Sequence, residues 1–150
     1  VKVLMVCLGN ICRSPLAEGI LKSKVNPSEI VVDSAGTAGY HIGKATDIRS
    51  IEVAHRAGID ISHQKCRRFI PDDFDNFYYI FAMDRENLLH LKDLARNTAD
   101  LEKLYLLLEE AGIPGEEVPD PYYGGNNGFQ KVFRMIDAAT DKLLPLLSKF

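Results

Sequence analysis

The sequence is 150 residues long, 46% hydrophobic and 26% charged, which is the size and composition of one globular domain spanning 1–150. Its net charge of −3 argues against a broad surface for nucleic acid or for an anionic membrane, so we expect neither as a partner. The three cysteines are an odd number, and we see no secretory signal or membrane-spanning segment. These features predict a reduced chain in the cytoplasm.

Strand-like and helix-like stretches alternate along the chain. Runs rich in branched and aromatic residues predict strands over residues 2–6, 30–33, 77–83 and 103–108. Amphipathic periodicity predicts helices over residues 15–24, from a cap at Thr46 or Asp47 to Gly58, over 84–95, and from Phe129 onward with a local bend or end at Pro145. Residues 34–43 and 109–128 are predicted loops. Strands that alternate with helices pair in parallel, so we expect an α/β fold with helices on both faces of its sheet.

The first predicted strand leads into a short loop with the sequence Cys7-Leu8-Gly9-Asn10-Ile11-Cys12-Arg13-Ser14-Pro15. Ser14 and Pro15 are typical of a helix start, with the serine as N-cap. A loop between a strand and a helix N-terminus can turn its amide N–H groups inward around an anion. Ligands of parallel sheets bind beyond the carboxyl ends of the strands, which is where Cys7 lies. The stretch therefore predicts an anion site with Cys7 at its base and Arg13 at its edge.

The side chains of this loop suit attack on phosphorus. Inward-facing amides, a helix N-terminus and a nearby guanidinium favour the thiolate of Cys7, which is the nucleophilic form. The planar fork of Arg13 matches two phosphoryl oxygens, and Ser14 can donate a hydrogen bond toward the thiolate when it leaves. Taken alone, a cysteine at the end of a buried strand is more often a packed core residue.

The stretch from Cys7 to Pro15 resembles the C-x5-R-S signature of the low-molecular-weight protein tyrosine phosphatases, at the matching place in the chain. Further similar segments are Asp33-Ser34-Ala35-Gly36, Ile61-Ser62-His63, Met83-Asp84 and Asp120-Pro121. The resemblance implies a three-layer, Rossmann-like sandwich around a four-stranded parallel sheet of order 2-1-3-4. It also implies hydrolysis of phosphotyrosine in a protein or peptide, and of small aryl phosphates, through a cysteinyl-phosphate intermediate. Inorganic phosphate would be a product, and no metal or other cofactor would be needed.

Asp120 is the candidate general acid and base. A positioned acid that protonates the leaving oxygen, and then activates water as a carboxylate, assists both steps of such a hydrolysis. Pro121 limits the backbone around Asp120, and the family carries an Asp-Pro general acid at this location. Without the resemblance, an Asp-Pro pair in a loop is a common turn initiator.

The resemblance also implies which residues surround the substrate. Tyr122 and Tyr123 would form one wall of a deep slot, and Tyr40 would lie on the opposite rim. The other residues of the loop would contact the phosphate or the mouth of the slot, namely Leu8, Gly9, Asn10, Ile11, Cys12 and Ser14. A deep slot favours phosphotyrosine, since the shorter phosphoserine cannot bring its phosphorus to the thiolate. Loop tyrosines more commonly anchor a loop on the core.

Three further residues would support the loop. Asn10 resembles the family asparagine whose side chain holds the loop in a left-handed conformation, and Ser34 and His63 resemble its supporting partners. On its own, His63 is better explained as a surface or core histidine. Glu18 is expected to be a plain exposed carboxylate.

Cys12 lies close enough to Cys7 in the sequence for a reversible disulfide, a device that family members use to protect the nucleophile. The simpler interpretation of Cys12 is a packed thiol, and Cys66 is expected to be structural. Arsenate reductases of the same fold relay a disulfide through two further cysteines, but here only Cys66 lies outside the loop.

Other functions are less well matched by the sequence. A phosphate- or phosphopeptide-binding module would keep Arg13 but could dispense with Cys7 and Asp120. The four histidines lack the spacing of metal ligands, which argues against metal-dependent hydrolysis. Relatives that act on phosphoarginine tend to carry threonine where this chain has Ile11, so phosphotyrosine is favoured. We expect a monomer or a weak dimer.

Overall fold

A computed structural model of the protein describes residues 1–113, 116–121 and 125–148. Within them, four parallel strands form one sheet of order β2-β1-β3-β4. The strands are β1 (Lys2–Cys7), β2 (Val31–Gly36), β3 (Tyr79–Ala82) and β4 (Leu104–Leu106). The predicted α/β class, the parallel pairing and the order 2-1-3-4 are all confirmed.

Helices cover both faces of this sheet. Their bounds are α1 (Arg13–Lys22), α2 (Ile48–Arg56), α3 (Asp73–Asn76), α4 (Arg85–Leu94), α5 (Thr98–Leu101), α6 (Leu107–Glu110) and α7 (Gly125–Leu147). The core on one face contains side chains of α1, α2 and α7, and the core on the other face contains side chains of α3 and α4. Among the described residues, no helix is both long and apolar enough to cross a bilayer.

β1 lies in the middle of the molecule because its side chains are apolar on both faces. Val3, Met5 and Cys7 belong to the core on the α1 side. Leu4 and Val6 belong to the core on the α4 side. Side chains of a strand alternate between the two faces of its sheet, so a strand buried on both faces is a continuous apolar run. This burial fixes the carboxyl end of β1, where Cys7 lies.

β2 is longer than the sequence pattern predicted. It continues from Asp33 to Gly36, so Ser34 lies in a strand rather than in a loop. The added residues pair along β1, with Gly36 opposite Cys7. A Cβ atom on Gly36 would lie 2.7 Å from the carbonyl oxygen of Leu8, so a glycine is required where β2 approaches the loop after β1.

The ends of several helices also differ from the prediction. α1 begins at Arg13, with Cys12 at the N-cap position, so Ser14 is not the cap. Pro15 fits the third helical position because the first N–H groups of a helix have no partner within it. Pro145 lies inside α7, so it does not end that helix, and β4 occupies only 104–106 of the predicted 103–108. By contrast, the Asp47 cap is confirmed, since its Oδ1 accepts from the backbone nitrogen of Arg49 at 2.9 Å.

Candidate active site

The signature loop, defined here as residues 7–14, connects the end of β1 to the first turn of α1. Asn10 has a φ of 55°, in the left-handed region that asparagine tolerates better than most residues. Residues after β2 hold the start of the loop, because the backbone nitrogen of Thr37 donates to the Cys7 carbonyl at 3.0 Å and that of Ala38 to the Leu8 carbonyl at 2.9 Å. The predicted strand–loop–helix arrangement is therefore present.

A cavity of about 320 Å³ lies over this loop. Eight of the predicted site residues line it, together with His41. The eight are Cys7, Leu8, Gly9, Ile11, Cys12, Arg13, Tyr40 and Asp120. Three parts of the chain that are distant in sequence, namely the signature loop, the segment after β2 and the segment before α7, thus meet around one space. Ligand sites of parallel sheets are expected at this edge.

Cys7 lies at the base of the cavity and is buried. Its Sγ is 3.0 Å from the Oγ of Ser14, and the Nδ2 of Asn10 donates to that same Oγ at 2.8 Å. Because the amide of Asn10 occupies an acceptor position of the hydroxyl, the proton of Ser14 can point to the sulfur. The hydroxyl of Ser14 is therefore placed to donate a hydrogen bond to Sγ of Cys7.

Arg13 is buried and is held from two sides. Its Nη1 donates to Oδ2 of Asp84 at 2.6 Å and to the carbonyl oxygen of Val118 at 2.9 Å. Burial lowers the pKa of Arg13, but the nearby Cys7 and the Asp84 carboxylate outweigh it, so the pKa lies above its ordinary value. Arg13 thus carries a fixed positive charge in the lining of the cavity.

Asp84 connects this arginine to α4. Its Oδ1 accepts from the backbone nitrogen of Asn87 at 2.8 Å and so caps the helix. Oriented by its hydrogen bonds, the buried Asn87 amide donates to Oδ1 of Asp84 at 3.0 Å and accepts from the backbone nitrogen of Leu8 at 3.3 Å. The sequence pattern of a helix cap is visible at Asp84, but its contact with Arg13 depends on the tertiary fold.

Asn10 is supported by residues that the sequence analysis did not assign to the site. Its Oδ1 accepts from the backbone nitrogen of Arg67 at 2.9 Å, and its carbonyl accepts from the Sγ of Cys66 at 2.8 Å. The guanidinium of Arg67 is in turn paired with Asp33 and Asp73. The left-handed residue is thus fixed through both its side chain and its backbone.

The predicted supporting role of His63 needs a correction. His63 is exposed, whereas its neighbour Gln64 is buried and donates from Nε2 to the carbonyl oxygen of Pro15 at 3.2 Å. Ser34 is buried as a supporting residue should be, but its Oγ donates to Oε1 of Glu18 at 2.6 Å. Glu18 is therefore a buried partner rather than the exposed carboxylate that we expected. One residue of register separates His63 from the position that faces α1.

The three cysteines differ in their surroundings, although all are buried and none is disulfide-bonded. Burial raises the pKa of the Cys12 thiol, and the charges of Asp47 and Cys7 raise it further. Burial also raises the pKa of Cys66. Cys12 and Cys66 are therefore thiols at neutral pH. Cys7 and Cys12 both line the cavity, and a disulfide between them stays a prediction.

Asp120 reaches the cavity from the segment between α6 and α7. Val118, two residues earlier, donates its backbone N–H to the Met83 carbonyl at 2.9 Å and accepts from Arg13. Pro121 is buried against α7, 3.7 Å from the Cβ position of Gly128. Asp120 is exposed and lines the cavity. Tyr122 and Tyr123, predicted to form a wall of the slot, lie outside the described residues.

Tyr40 and His41 form the opposite rim. Tyr40 is 72% exposed, and its ring meets the ring of His41 edge to face, with centroids 6.4 Å apart. His41 also lies against the signature loop, since a Cβ atom on Gly9 would be 3.0 Å from its Cδ2. The sequence analysis named Tyr40 but missed His41, because a histidine in a glycine-rich loop carries no signal of its own.

Comparison with known proteins agrees with this geometry. A sequence model of the family described as low molecular weight phosphotyrosine protein phosphatase matches residues 2–150. A low molecular weight protein-tyrosine-phosphatase of Bacillus subtilis is 39% identical over 155 residues, which cover 99% of this chain and 97% of that protein.

Two solved structures are also similar. The structure of a protein tyrosine phosphatase from Entamoeba histolytica has a TM-score of 0.92 at 38% identity and covers 99% of this chain and 97% of its own. An arginine phosphatase from drosophila has a TM-score of 0.91 at 34% identity and covers 99% of each chain. The chain belongs to the low molecular weight phosphotyrosine protein phosphatase family.

Proposed function

We propose that this protein tyrosine phosphatase releases phosphate from phosphotyrosine, in proteins and peptides, through a phosphocysteine at Cys7. The observation that carries the proposal is that Cys7, Arg13 and Asp120 line the same cavity. In the first step, the thiolate of Cys7 attacks phosphorus, the bond to the phenolic oxygen breaks, and Asp120 gives its proton to that oxygen. In the second step, Asp120 takes a proton from water, the water oxygen attacks phosphorus, and the thiolate leaves with release of inorganic phosphate.

Arg13 stabilises the charge on the transferring phosphoryl group. Its side chain is held at Nη1 by Asp84 and Val118, so it does not have to reorganise when the substrate binds. Backbone N–H groups of the signature loop other than that of Leu8 supply the remaining donors. The hydroxyl of Ser14, 3.0 Å from Sγ of Cys7, assists departure of the thiolate in the second step.

The walls of the cavity select an aromatic leaving group. Leu8 and Ile11 give apolar contacts near the mouth, and Tyr40 covers the opposite rim. Tyr122 and Tyr123 complete the slot in our proposal, on the strength of the family resemblance. Gly9 and Cys12 provide the rest of the floor, while Asn10, Ser34 and Gln64 hold the loop in position.

The organisation of the protein is part of the same proposal. Residues 1–150 form one domain that works as a monomer or a weak dimer in the cytoplasm. Support comes from the family match over residues 2–150 and from three free thiols, which suit a reducing compartment. Sedimentation of the purified protein tests the oligomeric state, and a stable oligomer larger than a dimer would contradict the proposal.

The test is hydrolysis of an aryl phosphate in the presence of a chelator. Cys7→Ser should abolish turnover yet still bind phosphate, because the serine hydroxyl is a far weaker nucleophile. Asp120→Ala should slow poor leaving groups by about 100-fold and good ones much less, since only poor leaving groups need the proton. Full activity of Cys7→Ser, or activity of the unmodified enzyme that is lost with the chelator, would overturn the mechanism.

Phosphoarginine is the second candidate substrate, because the chain is similar to an arginine phosphatase from drosophila. Ile11 in the cavity lining favours phosphotyrosine, because relatives that act on phosphoarginine tend to have threonine there. Peptides that differ only in carrying phosphotyrosine, phosphoserine or phosphoarginine decide the matter. We expect the highest kcat/KM for phosphotyrosine, and a higher value for phosphoarginine would reverse the assignment.

A further inference from the structure

Three cationic residues that the proposed chemistry does not use lie on segments next to the cavity. Lys44, Lys65 and Arg68 are exposed, and together we call them the basic rim. The chain as a whole has a net charge of −3, so this cluster opposes the overall charge of the molecule.

The backbone places the basic rim next to the residues that line the cavity. The nitrogen of Lys44 donates to the carbonyl of His41 at 2.9 Å, and the carbonyl of Lys44 accepts from Cys66 at 2.8 Å. Ala45 pairs with Lys65 in an antiparallel bridge. The two lysines therefore lie on two short paired segments. The segment with Lys44 directly follows Tyr40 and His41, which line the cavity.

Arg68 lies beside the end of β2, next to the same side of the cavity. It forms a bridge with Gly36, the residue that contacts the signature loop. Its side chain extends over Gly39, with Cδ 3.6 Å and Nη1 3.8 Å from the Cβ position of that glycine. Gly39 immediately precedes Tyr40, so the guanidinium lies close to the exposed tyrosine of the rim.

Nearby carboxylates do not neutralise these charges. Asp33 and Asp73 are paired with Arg67, and Asp47 is paired with Arg49. In the part of the chain that the structure describes, no ion pair joins a carboxylate to Lys44, Lys65 or Arg68. The charge of the rim is therefore available to a bound partner.

We propose that the basic rim binds acidic side chains next to the phosphotyrosine of the substrate, so that the enzyme prefers phosphopeptides with Asp or Glu near the phosphorylated residue. This inference rests on the proposed function, because the rim acts on peptides whose phosphotyrosine occupies the cavity. Surface charges of this kind raise the association rate and select among partners. A small aryl phosphate, which fills only the cavity, cannot reach the rim.

The test compares kcat/KM for three phosphotyrosine peptides of equal length, flanked by glutamate, by glutamine or by lysine. We expect the glutamate peptide to exceed the glutamine peptide by about fivefold at low salt, and the lysine peptide to be poorer than both. The preference should shrink between about 20 mM and about 500 mM salt, because added ions screen exposed charges.

Charge reversal makes the test specific. Lys44→Glu combined with Lys65→Glu should invert the order of the glutamate and lysine peptides while leaving aryl phosphate turnover within about twofold. The matched control is Lys2→Glu with Lys142→Glu, which changes the net charge equally. Lys2 starts β1 at the end opposite Cys7, and Lys142 lies roughly 20 Å along α7 from Gly128. The control should keep the original order of peptides.

The possible outcomes separate this inference from the proposed function. Equal kcat/KM for the three peptides, or equal effects of the rim and control variants, would overturn the role of the basic rim. Hydrolysis of aryl phosphate by the unmodified enzyme would still stand in that case. If the unmodified enzyme does not hydrolyse the aryl phosphate, that result counts against the proposed function instead.

Discussion

Gly36 shows how one residue without a side chain sets the shape of the site. A Cβ atom there would lie 2.7 Å from the Leu8 carbonyl oxygen and 2.9 Å from the carbonyl carbon of Gly9. Both contacts are with backbone, which cannot rotate away as a flexible side chain could. The end of β2 can therefore support the signature loop only if this position stays glycine.

Gly36→Ala is expected to lower the free energy of unfolding by about 1–3 kcal/mol, because the added methyl group overlaps backbone atoms. It should also lower kcat by about tenfold or more, because the signature loop would be displaced. Chemical denaturation and turnover of an aryl phosphate measure the two effects. Gly128→Ala is the control, because a Cβ at this position makes only ordinary contacts of 3.7 Å. Replacing a glycine inside a helix should not destabilise the protein. Unchanged kcat in Gly36→Ala would show that the loop does not depend on this close approach.

The sequence identified the central residues of the site better than their partners. Cys7, Ser14 and Arg13 follow one another in a local pattern, so strand and helix signals were enough to place them together. Asp84 shows a helix-cap pattern, but nothing local in the sequence links Asp84 or Arg67 to the loop, because each meets it only after the sheet has formed. His63, which was predicted to support Asn10, is exposed instead, and it lies in an irregular segment where the sequence shows no periodicity.

Among the elements, those with strong periodicity or a side-chain cap were predictable. β1, β3 and α4 follow from apolar runs and from the Asp84 cap. The added residues of β2 are small and have little strand preference, and they are extended because β1 pairs with them. The short α5, capped by Asn97, was missed because four residues show no period.

The Asp47 cap of α2 gives a prediction that depends on pH. Desolvation raises the pKa of Asp47, but the hydrogen bonds from Arg49 and its charge together outweigh it, so the pKa lies below its ordinary value. A lowered carboxyl pKa stabilises the fold above the unfolded pKa of about 3.9, and this contribution is lost as pH falls through the folded pKa. Asp47→Ala should therefore cost about 1 kcal/mol near neutral pH and much less in acid.

Denaturation curves of the unmodified protein and of Asp47→Ala, recorded from neutral pH down into acid, measure how the cost of the substitution depends on pH. Asp47→Asn serves as the control, because its amide oxygen can still cap the helix but does not titrate. Its difference from the unmodified protein should likewise diminish in acid, while remaining smaller than that of the alanine variant at neutral pH. A cost of Asp47→Ala that stays constant with pH would contradict a contribution from the charged cap.

At the scale of the whole molecule, both cores depend on β1. Leu4 and Met5 are each fully buried, on opposite faces of the sheet. Replacement of either by alanine should lower the free energy of unfolding by about 2–5 kcal/mol, because each leaves a cavity in a packed core. Denaturant unfolding of the two variants is the measurement. A loss below about 1 kcal/mol for one of them would mean that its face of the sheet is not a true core.

The central place of β1 has a consequence for how the protein is made. β1 comes before both of its neighbours in the chain, β2 and the much later β3. During synthesis, both edges of β1 can be paired only after β3 has left the ribosome. Pairings across such long sequence separations are also slow to form. Asp120 emerges later still. A nascent chain therefore carries Cys7, the proposed nucleophile, long before it carries Asp120, the proposed acid, and we expect it to gain activity only when most of its length has been synthesised.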